Sequence, residues 1–121
     1  MIIKKLEQNG VIIAQIESDE VLITDVQSAL DLMATVRYET DADCMILPKV
    51  ALAEQFFVLS TRLAGDILQK FVNYQFRVAI VGDFSGYSSK PLRDFIYESN
   101  QGKHVFFVST VEEALEKLSR V

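Results

Sequence analysis

Asp83 follows the apolar run Val78-Ala79-Ile80-Val81-Gly82, so its carboxylate emerges from the end of a buried strand. A carboxylate there can contact a ligand or accept a phosphoryl group. It can equally cap the N–H groups after it in an Asx-turn, the commoner use of Asp at such a position. A phosphoaccepting pocket would also need acids for a metal and a Lys and Ser/Thr on other strand ends. Here Asp19-Glu20 would supply the metal site alone, and Lys90 lies on a helix start. Beyond Asp83, the loop residues Ser85, Tyr87, Ser88 and Ser89 run into Lys90 and Arg93. Hydroxyls and cations at a helix N-terminus can hold an anion, and helix capping accounts for the same serines. Neither G-x-x-x-x-G-K-[ST] nor G-x-G-x-x-G occurs, so nucleotide binding has no specific signal.

Ser60-Thr61 opens the segment with the clearest helical pattern, where a phosphate would meet free N–H groups and the positive dipole end. An N-cap has the same signature. His104 is the only histidine and begins a strand, so no Ser–His–acid set can be argued. Cys44, the only cysteine, lies in an apolar strand and is expected to be an inert small hydrophobe. No catalytic residue, metal site or cofactor is expected.

The 121 residues suit one domain spanning 1–121, and half of them are apolar. Twelve Lys+Arg against 17 Asp+Glu give a net charge of −5, which argues against nucleic-acid binding because phosphate neutralisation needs a basic surplus. One Cys and one His exclude a disulfide framework and a zinc site built from those residues. The N-terminus carries no secretory pattern, and no apolar run approaches the roughly 18 residues that span a bilayer. A cytoplasmic protein without membrane attachment is expected.

The elements that must position these residues follow from periodicity. Asn9-Gly10 joins two strands, Ile2 to Gln8 and Val11 to Ile16, as a type I′ hairpin. The second of these strands is nearly all apolar, so both of its faces should be covered. A helix is predicted from Thr24 to Val36, with a capping box at Thr24 and Gln27. Next come a buried strand, Cys44 to Leu47, a short amphipathic helix, Val50 to Val58, and a helix from Ser60 to Tyr74. Gly65 in that helix is expected to allow close approach of a neighbour. A strand from Arg77 to Gly82, a helix from Lys90, a strand from His104 to Val108 and a helix capped by Ser109-Thr110 complete the chain. The order β-β-α-β-α-α-β-α-β-α implies an α/β fold, an open mixed sheet of about five strands with helices packed on it. Ser18-Asp19-Glu20, Pro48-Lys49, Asp83 to Lys90 and Ser109-Thr110 then meet at the carboxyl edge, where sites in such sheets gather.

Two resemblances add to this reading. Segments such as Ile23-Thr24-Asp25-Val26-Gln27-Ser28-Ala29, Ala79-Ile80-Val81-Gly82-Asp83-Phe84-Ser85 and Leu68-Gln69-Lys70-Phe71 resemble an uncharacterised bacterial family, domain of unknown function 4180. The element order, the stretch Ser60 to Asp83 and the ending Val105 to Leu115 are similar to the STAS domain of anti-sigma-factor antagonists. That second resemblance implies a STAS-like fold and a phosphoacceptor at Ser60 or Thr61. The expected function is therefore a non-catalytic regulatory or protein-interaction domain with a protein partner. The alternative is a small-molecule binder or small enzyme using Asp83, Ser85, Ser88 and Lys90. The aromatic content, including Phe56, Phe57, Phe84, Phe106 and Phe107, leaves a homodimer open.

Overall fold

A computed structural model describes residues 1–120. Strands β1 (Ile2–Gln8) and β2 (Val11–Glu17) pair antiparallel about Asn9 and Gly10. Both turn residues have positive φ, 54° and 80°, the requirement of a type I′ turn. Strands β3 (Cys44–Pro48), β4 (Arg77–Val81) and β5 (Val105–Val108) then add in parallel, in the spatial order β1-β2-β3-β4-β5. Helices α1 (Val26–Thr40), α2 (Leu63–Asn73), α3 (Lys90–Gln101) and α4 (Val111–Leu118) pack on this sheet.

Alternation along the strands divides the core in two. Ala14, Ile16, Met45, Leu47, Val78, Ile80, Val105 and Phe107 face one layer with Ala29 and Val36 of α1, Ile67 and Phe71 of α2 and Leu92 of α3. Ile13, Cys44, Ile46, Ala79, Phe106 and Val108 face the other, against Ala114 and Leu118 of α4. The second strand is thus covered on both faces, as its composition requires. A fully buried Ile or Phe contributes about 1.5–3 kcal/mol relative to an exposed one.

The helix boundaries shift for identifiable reasons. The N-cap of α1 is Asp25 rather than Thr24: its carboxylate accepts from the Ser28 N–H at 2.7 Å, while Ser28 Oγ accepts from the Asp25 N–H at 3.1 Å. Ile23 is 1% exposed and bridges to Leu52, which keeps the preceding backbone extended. The far end of α1 runs on to Thr40 and stops where Asp41 turns left-handed.

Instead of a helix over 50–58, three short 3₁₀ turns, Lys49–Ala51, Glu54–Phe57 and Leu59–Thr61, lead to α2. Phe56 and Phe57 are adjacent and both buried, Phe56 against Phe107 and Phe57 against Tyr87. α2 starts at Leu63 rather than Ser60, because Arg62 is left-handed and the Thr61 hydroxyl is engaged with the carbonyls of Gln55 and Val58. A Cβ on Gly65 would meet nothing within 4 Å, so the expected close approach there does not occur.

β5 has a strand neighbour on one side only. On its free side the Asn100 side chain behaves as a substitute strand: Phe107 N–H donates to Asn100 Oδ1 at 2.7 Å, and Asn100 Nδ2 donates to the Phe107 carbonyl at 3.2 Å. Phe107 is 6% exposed, so neither backbone group has easy recourse to water. Asn100→Ala is expected to lower unfolding free energy by about 2 kcal/mol in urea denaturation. A loss below about 0.5 kcal/mol would mean that water replaces the amide at no cost.

Candidate functional site

The carboxyl ends of the parallel strands are organised around Lys49. Parallel register sets Pro48 beside Val81, which brings Lys49 alongside Gly82. The approach is close enough that a Cβ on Gly82 would lie 2.6 Å from Lys49 Cβ. The lysine stem therefore crosses where Gly82 has no side chain, and its ammonium donates to the Asp83 carbonyl at 3.1 Å. It lies 4.6 Å from the Tyr87 ring centroid, 5.6 Å from Phe84 and 5.7 Å from Phe57. Each distance is within cation–π range.

The rings are themselves packed. Phe57 stacks on Tyr87 at 5.1 Å, and Phe84 meets Phe107 edge-on at 5.3 Å. The loop after β4 is thereby folded down onto the core by its aromatics. The Tyr87 hydroxyl is buried without a hydrogen-bond partner among the described residues, so Tyr87 is placed by its ring.

Asp83 adopts the capping alternative. Its Oδ1 accepts from Ser85 N–H at 2.9 Å and from Ser85 Oγ–H at 2.6 Å. Those bonds hold its carboxyl below the usual Asp range, with the charge of Lys49 as a smaller contribution. Ser89 is the N-cap of α3, accepting from Leu92 N–H, and Lys90 pairs with Asp94 at 2.7 Å along the same helix. Ser88 and Arg93 are exposed beside them. Asp83 and Ser85 thus come together, while Ser89 and Lys90 are committed to α3.

Ser60 and Thr61 lie in the last 3₁₀ turn before α2. The Thr61 hydroxyl is tied to the Gln55 and Val58 carbonyls and accepts from Leu63 N–H at 3.2 Å. Ser60 is exposed, and its hydroxyl makes no hydrogen bond among the described residues. His104 precedes β5 at the opposite, amino edge, where its carbonyl accepts from Val78 N–H. Cys44 is buried in β3 with its thiol 3.4 Å from the Ile12 carbonyl, and burial pushes its pKa up.

Beside Lys49 lies a cleft of about 630 Å³, lined by Val21, Pro48, Val50, Leu52, Glu54 and Asp83 among others. Val21, Val50 and, farther along the same connection, Val58 are about half exposed. Among the described residues no three His, Cys, Asp or Glu side chains are grouped to hold a metal ion. No helix there is long and apolar enough to cross a membrane.

Residues 8–118 match the family described as Domain of unknown function (DUF4180). The chain belongs to that family. The DUF4180 match runs from the last residue of β1 to the last residue of α4, so both edges of the parallel sheet lie within it. No curated protein and no solved structure matches the chain.

Sequence reasoning placed the Pro48-Lys49 loop at this edge but did not single out Lys49 or its aromatic neighbours. The available signal was a glycine one position past β4, opposite a lysine one position past β3. Gly82→Ala is expected to destabilise by about 1–3 kcal/mol, because the atom displaced is a Cβ close to the backbone. Gly65→Ala should instead stabilise by about 0.5–1 kcal/mol, and urea denaturation of the two variants would show opposite shifts. Asp83, with its depressed pKa, contributes stability above its unfolded pKa that is lost as pH falls through the folded value. Asp83→Asn should therefore flatten the fall of Tm below about pH 4, leaving the trend at neutral pH unchanged.

Proposed function

We propose that this chain is a non-catalytic regulatory module with a STAS-like fold that docks a protein partner on the carboxyl edge of its sheet. The observation that carries this reading is the open apolar surface at that edge. Val21 and Val50, 49% and 51% exposed, flank a cleft with Leu52 and Pro48, while Glu54, Lys49 and Asp83 supply charge around it. Apolar area bounded by polar groups is the anatomy of a protein contact. Fold support comes from the element order and from the hairpin followed by alternating units. A cytoplasmic setting fits such a role.

Ser60 is the residue we assign to switching. Its hydroxyl is accessible, whereas that of Thr61 is engaged in closing the turn. A phosphate on Ser60 would add about −1.5 to −2 charge two residues from Val58 and oppose apolar docking. Small-molecule use of the Asp83 to Lys90 loop has less support, since Asp83 accepts from Ser85 and Lys90 pairs with Asp94.

A photo-crosslinking residue at Val50 should give a discrete protein adduct in cells. The same group at Tyr38, 91% exposed on α1, should not. Equal labelling from both positions, or none from Val50, would remove the docking face from consideration.

A further inference from the structure

Four cations converge at the amino edge of the sheet, in a chain whose net charge is −5. Arg77 opens β4, Lys103 lies between α3 and β5, Lys117 is in the last turn of α4 and Arg120 follows it. With Phe106 and Gln101 they line a cleft of about 680 Å³ that has no Asp or Glu in its lining. That volume falls within the range of small-molecule sites, roughly 300–1,000 Å³.

None of the four cations is paired with a buried counter-charge. Arg77 Nη2 donates to the Leu118 carbonyl at 2.8 Å, which fixes the guanidinium and leaves further N–H groups uncommitted by that bond. Lys117 Nζ sits 5.8 Å from the Phe106 ring centroid. Arg120 pairs with Glu116 at 2.8 Å, and both side chains are more than half exposed, so solvent screens the pair. Lys103 is exposed and forms no ion pair among the described residues.

The negative end of α4 accounts for Arg77, which touches one of its carbonyls. It does not account for Lys103, which comes from a different connection. Four like charges beside the single exposed carboxylate of Glu116 repel one another, and an anion between them relieves that repulsion.

We propose that this cleft binds a phosphate-bearing small molecule, with the phosphate held by Arg77, Lys103 and Lys117 and the remainder against Phe106 and Gln101. A phosphate ester carries nearly two charges and three acceptor oxygens, which suits several converging donors better than a single carboxylate does. This site lies at the opposite end of the strands from the docking surface, and it stands or falls separately from that reading.

The full chain, labelled with ¹⁵N, should be titrated with inorganic pyrophosphate at constant ionic strength. Saturable amide shifts are expected at Gly102, Lys103, Phe106 and Lys117. Lys103→Glu and Lys117→Glu should each weaken the apparent affinity by about tenfold or more, whereas Lys90→Glu, at the other edge, should leave it unchanged. Lys103→Gln, which removes the charge without reversing it, should give an intermediate loss, and the spectrum of each variant reports whether it is folded. The proposal is overturned by shifts that sodium chloride reproduces, by shifts that do not centre on this cleft, or by an equal loss in Lys90→Glu.

Discussion

A right-handed crossover between neighbouring parallel strands leaves its helix only one face of the sheet to occupy, and here every crossover joins adjacent strands in one direction. α1, α2 and α3 are therefore confined to the same layer, and among the described residues α4, which follows the last strand, covers the other. Strand order never reverses, so the crevice that reversal opens in doubly wound sheets does not form. Groups at the strand ends must instead be arranged by the loops themselves.

The two ends of the strands solve this differently. At the carboxyl end, aromatic side chains from the β3–α2 and β4–α3 connections fold over a lysine, and the surface becomes apolar with a charged border. At the amino end, the connections are short, α3 and α4 finish there, and cationic side chains collect around Phe106. An acidic chain thus places its basic residues unevenly. That unevenness is a property of folding, invisible to a net charge.

Much of the architecture was legible because local and global signals agree. Asn9-Gly10, the serine cap before Lys90-Pro91 and the Thr110 cap each occur where a chain reversal or helix start is required. The Asx-turn at Asp83 was legible for the same reason. What escaped was set by distant partners. The 3₁₀ path through Phe56-Phe57 answers to core positions on other elements, and Thr61 is spoken for by carbonyls three and six residues back, which delays α2. Lys49 over its rings depends on strand register, and the cationic cleft unites residues from positions 77 to 120. Spacing along the chain carries neither.

Asn100 has a wider meaning for the behaviour of the chain in crowded solution. A short, apolar outer strand such as Val105–Val108 offers its outward backbone groups as a template to any other extended chain. By occupying Phe107 with a side-chain amide, the protein denies that template to copies of itself. The opposite margin, β1, is guarded instead by exposed Lys4 and Lys5. At one border of the sheet, the place an added strand would take is thus filled by a single carboxamide.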